Sequence, residues 1–182
     1  MPFTFTKAPI DGLVIIEPRA FPDERGVFME SFKQSDFERA GIFGPFVQDN
    51  CSRSKKGVLR GLHFQRPPHA QGKLVRVSRG RAWDVAVDLR VGSPTFGKYY
   101  ALELSEENRR LFWIPMGFAH GFLALEDDTE LQYKCTAEYH AASDGGVRWD
   151  DPDLAIAWPD IGMAPIVSAK DAALPLLRDL GL

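Results

Sequence analysis

His63 and Lys73 are the residues of this chain whose types and setting most directly suggest chemistry. They lie in a 34-residue stretch, 50–83, that contains nine Lys or Arg and no Asp or Glu, although the whole chain has a net charge of −3. Positive charge gathered in this way favours a polyanionic ligand, either a phosphate or a nucleic acid. A histidine can exchange protons near neutral pH, and a fixed ammonium can stabilise developing negative charge. The stretch therefore indicates acid–base chemistry on a phosphorylated small molecule.

The composition indicates one globular domain, which we predict to span residues 1–182. The chain is 45% hydrophobic and shows no linker, repeat or low-complexity segment. Residues 1–7 lack the zones of a signal peptide, and no run of about 18 apolar residues occurs. We therefore expect a cytoplasmic protein without a membrane segment. Cys51 and Cys135 are too few for a disulfide framework and lack metal-type spacing, so we predict reduced thiols in the core.

Alternating apolar and polar residues predict a fold dominated by short strands. The segment 83–89 alternates strictly, which is typical of a half-buried strand. Further strands are predicted at 13–17, 26–32, 59–65, 73–79, 98–104, 111–115, 120–125 and 129–136. Two capping boxes, one from Ser35 to Glu38 and one from Ser168 to Asp171, predict short helices, the first ending at Gly41. Many strands with few helices indicate a β-sandwich or barrel.

Eight short strings lie along the chain in a specific order. They are DERG (23–26), QDN (48–50), LRGLH (59–63), QGKLVR (71–76), SPTFG (93–97), IPMGFAHGF (114–122), YK (133–134) and SAKD (168–171). In this order they resemble the dTDP-4-dehydrorhamnose 3,5-epimerase family, over about residues 3 to 178. The resemblance implies an all-β, cupin-type jelly roll with a few short helices, a homodimer that exchanges N-terminal strands, and no metal or organic cofactor. It also implies epimerisation of dTDP-4-dehydro-6-deoxy-D-glucose at C3 and C5, which gives dTDP-4-dehydro-L-rhamnose for dTDP-L-rhamnose synthesis.

The metal-binding pattern of cupins is incomplete in this sequence. Metal-binding cupins typically carry His-x-His followed by Glu, and a further histidine in Pro-x-Gly-x-x-His. His120 completes the second element, but Gln65 stands where the second histidine of the first element would be. No acidic residue follows before Asp84. Because zinc and redox metals generally need three or more converging ligands, we predict no metal.

Epimerisation beside a ketone requires a base, a group that stabilises the enolate oxygen, and an acid on the opposite face. Chemistry and resemblance both indicate His63 as the base, and the resemblance implies that Asp171 orients its ring. Asp84 is a second candidate for holding a histidine. Lys73 is our candidate for the enolate oxygen. Tyr133 is our acid, because a phenol is a proton donor at neutral pH, although alone it would indicate a core aromatic.

The diphosphate of a sugar nucleotide requires cationic partners. Arg25 and Arg60 can bind a pyrophosphate bidentately, and the resemblance adds Lys170. In a strictly alternating strand, Arg60 and His63 would face opposite sides. Either Gly61 marks a bulge, or Arg60 serves the site of the other subunit.

The remaining predicted contacts follow from the resemblance. They are His120 for the sugar near its keto group, Glu30, Gln48 and Asn50 for the thymidine, Tyr139 and Phe28 for stacking on its ring, Asp49 as a further substrate contact, and Asp144, which stands where the family usually has Glu. The other cations of the basic stretch are predicted to face solvent, namely Arg53, Lys55, Lys56, Arg66, Arg79 and Arg81.

Three other functions compete with this interpretation. The nearest is an epimerase that inverts one centre, or acts on another dTDP-4-keto-6-deoxy sugar. A non-catalytic sugar-nucleotide-binding cupin is the second, but binding alone does not require His63, Lys73 and Tyr133 together. Nucleic-acid binding would need exposed aromatics among the cations, whereas the aromatics here fit strand interiors.

Overall fold

The computed structural model describes residues 2–182 and consists mainly of β-strands. The strands are β1 Phe3–Lys7, β2 Val14–Pro18, β3 Ala20–Asp23, β4 Gly26–Met29, β5 Gln48–Ser54, β6 Val58–Gln65, β7 Lys73–Arg79, β8 Arg81–Asp88, β9 Tyr99–Ser105, β10 Leu111–Ile114, β11 Phe118–Ala124, β12 Thr129–Cys135, β13 Asp144–Gly146 and β14 Ile166–Val167. The helices are α1 Gln34–Arg39 and α2 Ala169–Ala172, with 3₁₀ turns at Ala141–Ser143 and Leu177–Asp179. The all-β prediction is confirmed. Within residues 2–182, no helix is both long enough and apolar enough to cross a membrane.

The strands form two facing sheets and a separate hairpin. The first sheet has the order β1-β2-β10-β7-β12-β5, and the second has the order β13-β6-β11-β8-β9, with β14 added alongside β6. The hairpin β3–β4 belongs to neither sheet. Side chains from both sheets, including Val75, Phe112, Phe122 and Leu131, form the core between them.

Strand β8 shows how the alternation becomes two packing layers. Its even positions, including Ala82 and Ala86, belong to the core between the sheets. Its odd positions, Val85 and Val87, pack with Leu154 in a second cluster outside the sheet. The prediction of a half-buried strand is therefore wrong, because the C-terminal part of the chain covers the outer face.

The predicted strands all occur, but the sequence missed several others. The segment 26–32 is a strand only as far as Met29. The missed strands are β1, β3, β5, β13 and β14. Strand β5 has the sequence QDNCSRS, which offers no apolar alternation because it lies at the edge of the first sheet.

The two helix predictions had different outcomes. Helix α1 begins at Gln34 with Lys33 as its N-cap and no side-chain cap, so the first capping box is wrong. The fully buried Phe37 packs there in a cluster on the outer face of the first sheet. Before α2, Ser168 Oγ accepts a hydrogen bond from Asp171 N at 3.1 Å, as predicted. Because this cap uses only the backbone N–H of Asp171, the carboxylate of Asp171 remains available for other contacts.

The cysteine prediction is half correct. Both thiols are free, and Cys135 is buried. Cys51 is exposed because it lies on the edge strand β5, where alternate side chains point to solvent.

A bulge in β6 resolves the alternation problem raised by Arg60 and His63. His63 pairs with His120 and Arg60 pairs with Phe122, so two residues of β6 lie opposite Gly121 alone. The extra residue restores Arg60 and His63 to one side, and both line the same cleft. Gly61 has a φ of +126°, which favours glycine. The bulge is thus the alternative that the structure shows.

We predict that Gly61→Ala destabilises the protein far more than an ordinary glycine replacement. A Cβ at this position would lie 2.6 Å from Gly121 Cα and 2.9 Å from His120 O, and backbone atoms cannot move aside cheaply. We expect a loss of at least about 2 kcal/mol in the free energy of unfolding, measured in urea. Gly162→Ala is the control, since Gly162 also has a positive φ but no atom within 4 Å of the added carbon. An equal loss in the two variants would contradict the argument.

Candidate active site

A cleft of about 590 Å³ opens between the two sheets where β5, β6 and β11 meet. A smaller cavity of about 220 Å³ adjoins it. The two share five lining residues, which are Asn50, His63, Lys73, Tyr133 and Lys170. Three of the four predicted catalytic side chains, His63, Lys73 and Tyr133, therefore lie at the junction of the two spaces, and Asp171 lines the larger one.

Asp171 holds both the histidine and the backbone of the bulge. Its Oδ1 lies 2.8 Å from His63 Nε2, and its Oδ2 accepts a hydrogen bond from Gly61 N at 3.1 Å. Burial lowers the pKa of the His63 imidazole, and the hydrogen bond to Asp171 partly opposes this effect. His63 is therefore favoured in its neutral form. When its Nε2–H is donated to Asp171, Nδ1 remains free to accept a proton.

Lys73 lies in the protein interior rather than on the surface. The residue is 9% exposed, and its Nζ donates a hydrogen bond to His63 O at 3.2 Å. Nζ also lies 5.8 Å from the centroid of the Tyr133 ring. Burial lowers the pKa of the ammonium. A cation with few nearby protein partners is well suited to an anionic oxygen in the cleft.

A second histidine–carboxylate pair lies deeper in the same interior. His120 Nε2 lies 3.0 and 2.9 Å from the two carboxylate oxygens of Asp84, and both residues are buried. Burial raises the pKa of the Asp84 carboxyl, while His120 opposes that effect. Asp84 thus holds His120 and not His63. His120 is left with Nδ1 as the ring nitrogen that can reach a ligand.

Tyr133 belongs to the other sheet and faces the histidines across the cleft. It is half-buried on β12 beside Asn50 of β5, and its ring centroid is 6.4 Å from that of His120. Burial raises the pKa of the phenol, so the hydroxyl keeps its proton at neutral pH. The ring packs against the edge of the core but lines both spaces.

Several predicted binding residues are linked around the smaller cavity. Gln48 Nε2 donates to Asn50 Oδ1 at 3.0 Å, and Gln48 Oε1 accepts from Tyr139 N at 2.7 Å. Lys170 Nζ donates to Asp144 Oδ2 at 2.6 Å, and Tyr139 Oη lies 3.5 Å from the same oxygen. These residues form one polar rim beside His63, Lys73 and Tyr133.

Arg60 is held by a residue that the sequence analysis missed. Its Nε donates to Ser54 Oγ at 3.2 Å, which leaves the terminal nitrogens available to a ligand. Ser54 is the buried last residue of β5. Because polar residues occupy both faces of this strand, its sequence does not show which side chains point inward. Gln65 and Gln71 line the smaller cavity and were also missed as site residues. For Gln65 the sequence did offer a signal, because a residue two positions after His63 on a strand faces the same side.

Four predicted contacts do not join this cleft. Arg25, Phe28 and Glu30 lie on or just after the hairpin β3–β4 and line neither space. Arg25 pairs with Asp23 at 2.6 Å, and Phe28 is 67% exposed. Asp49 points to the opposite face of β5 from Asn50, where it pairs with Lys134 at 3.0 Å. Within a single chain, these four side chains therefore lie outside both spaces, and their contact with a substrate stays a prediction.

The cations predicted to face solvent are exposed or only half-buried. Two of them are paired with acids: Arg53 with Asp128 at 2.8 Å and Arg81 with Glu126 at 2.6 Å. Arg66 lies over the Phe64 ring at 5.5 Å. Much of the basic stretch is thus used at the surface, and only Arg60 and Lys73 of its nine cations line the cleft.

The two histidines are not arranged as metal ligands. Each already contacts a carboxylate through Nε2. In the described part of the chain, no three side chains of the His, Cys, Asp or Glu type converge in a way that could hold a metal ion.

Comparison with known proteins gives the same picture. The family model for dTDP-4-dehydrorhamnose 3,5-epimerase matches residues 7–179. The dTDP-4-dehydrorhamnose 3,5-epimerase of Methanothermobacter thermautotrophicus is 54% identical over 97% of this chain and 96% of its own, and that of Salmonella typhimurium is 53% identical over 94% and 93%.

A solved structure agrees in three dimensions. The dTDP-6-deoxy-D-glucose-3,5-epimerase from Legionella pneumophila, in complex with dTDP-4-keto-L-rhamnose, is 51% identical. It superposes with a TM-score of 0.94 over 98% of this chain and 94% of the other. The predicted cupin-type jelly roll is confirmed by such neighbours. With a family model that spans almost the whole chain and relatives that share half of its residues, this protein belongs to the dTDP-4-dehydrorhamnose 3,5-epimerase family.

Proposed function

We propose that this protein epimerises C3 and C5 of dTDP-4-dehydro-6-deoxy-D-glucose and so supplies dTDP-4-dehydro-L-rhamnose for dTDP-L-rhamnose synthesis. The observation that carries the proposal is the convergence of His63, held by Asp171, with Lys73 and Tyr133 in one cleft. Membership of the family gives the substrate class. The assignments of individual residues rest on their geometry and chemistry.

Proton removal falls to His63. Its unprotonated Nδ1 takes a proton from the carbon beside the ketone, and the electron pair of that C–H bond forms an enolate whose charge lies on the C4 oxygen. Asp171 stabilises the resulting imidazolium. The ammonium of Lys73 and the ring of His120 surround the enolate oxygen. Because these groups are fixed in an interior site, they need little reorganisation as charge develops.

Proton return falls to Tyr133, and the fold explains why the centre inverts. His63 is carried by β6 of one sheet and Tyr133 by β12 of the other. A sugar lying between the sheets therefore has the base on one face and the phenol on the opposite face. The phenol donates its proton to carbon, and the enolate returns to a ketone. Both residues then recover their starting forms by exchange with water.

The remaining cleft residues account for the rest of the substrate. Arg60 and Lys170 provide cations for the diphosphate, and the terminal nitrogens of Arg60 are not used by Ser54. Gln48, Asn50 and Tyr139 lie beside the smaller cavity, which suits the thymidine. We expect the bound diphosphate to compete with Asp144 for Lys170.

We further propose that the active unit is a homodimer in which the hairpin of one copy completes the cleft of the other. The hairpin β3–β4 is isolated from both sheets, and a two-stranded hairpin is marginal alone in water. Its apolar side chains Phe21, Val27 and Phe28 are 42%, 50% and 67% exposed. Arg25, Phe28 and Glu30, which miss the cleft of their own chain, would then serve the partner. Exchange of the N-terminal strands, the cytoplasmic location and the lack of a cofactor stay predictions.

We expect deuterium to enter the product at both C3 and C5 when the protein acts on dTDP-4-dehydro-6-deoxyglucose in deuterated water. Each reprotonation draws on groups that exchange with solvent. Proton NMR in the presence of a chelator measures both positions, and the chelator should not reduce the rate. Exchange at one carbon would indicate a single-centre epimerase, and no exchange would leave another substrate or a binding role.

Replacing the base and replacing the acid should give different results. His63→Ala should lower turnover by at least about 100-fold and abolish solvent exchange at both carbons, because the group that removes the proton is gone. Tyr133→Phe should slow product formation while exchange at C5 continues, since proton removal remains. Both variants should bind dTDP nearly as the wild type does. Unchanged turnover in His63→Ala, or loss of C5 exchange in Tyr133→Phe, would remove that residue from its role.

The shared cleft predicts complementation between two inactive subunits. Arg25→Ala removes the arginine that the hairpin would bring to the partner's cleft, and His63→Ala removes the proposed base. If the hairpin acts in trans, a mixed dimer has one cleft with both residues intact. Random pairing of the two chains should then restore about a quarter of wild-type turnover, since half of the dimers carry one intact site. Mixed chains that stay as inactive as the two pure variants would show that the hairpin serves its own chain.

A further inference from the structure

Two histidines that the proposed mechanism does not use stack beside the smaller cavity. The ring centroids of His69 and His140 are 3.8 Å apart and their planes differ by 13°. His69 lies in the loop between β6 and β7, and His140 lies in the loop between β12 and β13. His140 Nδ1 is 3.2 Å from Ser143 Oγ, which fixes the orientation of that ring. The stack therefore ties together two loops that are distant in sequence.

The side chain of Gln65, on β6, is hydrogen-bonded to the same two loops. Its side chain is 6% exposed, and Nε2 donates to His69 O at 2.6 Å and to Glu138 O at 3.2 Å. Oε1 accepts a hydrogen bond from His140 N at 2.7 Å. The amide thus uses both of its N–H groups and its oxygen on backbone atoms of the two loops.

Tyr139 lies between two of the residues that Gln65 holds. Glu138 and His140 flank it, and its own N–H is held by Gln48. Its side chain remains 57% exposed and lines the smaller cavity. The backbone is thus fixed at three consecutive residues while the ring stays open to a ligand. Such an arrangement prepares an aromatic surface before the ligand arrives.

We propose that His69, His140 and Gln65 form a clasp that positions Tyr139 against the base of a bound nucleoside diphosphate. The inference rests on the proposed function, in which Tyr139 stacks on the thymine. His69 and His140 are positioning residues, because they act through the loop of Tyr139 and line neither cavity. The clasp should therefore affect nucleotide affinity and leave the chemical step alone.

Calorimetric binding of dTDP to the full-length protein tests the clasp. His69→Ala should raise the Kd for dTDP by about threefold to tenfold, the range expected for loss of one aromatic pair. His69→Phe keeps a stacking ring and should stay within about twofold of the wild type. Turnover of His69→Ala at saturating sugar nucleotide should be unchanged, since His63, Lys73 and Tyr133 are untouched.

The double variant separates a clasp from a general loss of structure. In a Tyr139→Ala background, His69→Ala should have no further effect on the Kd, because the side chain it positions is missing. The same loss in both backgrounds, an unchanged Kd in His69→Ala, or a fall in kcat would each overturn the proposal. Wild-type protein that binds dTDP without epimerising the sugar would refute the proposed reaction. The clasp would then still be tested by the Kd values of the wild type and the variants for dTDP. Wild-type protein that does not bind dTDP would refute both.

Discussion

The carboxylate of Asp171 is the contact on which the rest of the site depends. One oxygen holds His63 and the other holds the backbone N–H of Gly61. The same group therefore orients His63, the proposed base, and fixes the bulge that places Arg60 and His63 in one cleft. The hydroxyl of Ser168 caps α2 by accepting a hydrogen bond from the backbone N–H of Asp171, and this bond fixes the backbone that carries the carboxylate. A residue more than a hundred positions away from His63 thus sets the geometry of β6.

Charge burial explains why the interior of this sandwich remains polar at one end. Asp84, His120, Lys73 and Asp171 are all less than a tenth exposed. Isolated charges at such positions would be costly, but each histidine contacts a carboxylate and Lys73 lies near both the His63 carbonyl and the Tyr133 ring. A fully apolar core of the kind formed by Val75, Phe122 and Leu131 would bury the same space more cheaply. The cost indicates that the polar end is kept for chemistry.

The sequence predicted the residues of the cleft better than the strand and the hairpin around them. His63 and Lys73 were found from their chemistry in a basic stretch, whereas His120 and Tyr133 were found through the resemblance to the family. Strand β5 was missed because polar residues occupy both of its faces, so its inward Ser54 could not be recognised. The hairpin residues Arg25 and Phe28 were assigned to a cleft that their own chain does not bring to them. A single sequence shows which residues suit a ligand, but it does not show which of them the fold of one chain brings together.

Gln65 shows how a position of the cupin metal-binding pattern is used for structure in this chain. The metal-binding pattern has a histidine at this position, whose ring nitrogen would point at the ion. The amide of Gln65 instead uses its hydrogen bonds to join two loops. The histidines at the other two positions of the pattern are instead turned toward Asp171 and Asp84. Each potential ligand is thus bound to a protein partner, which fixes one nitrogen of each imidazole and leaves the other facing the cleft. The opposed sheets place His63 on β6 and Tyr133 on β12, so the proposed base and acid would approach a flat enolate between the sheets from different sides.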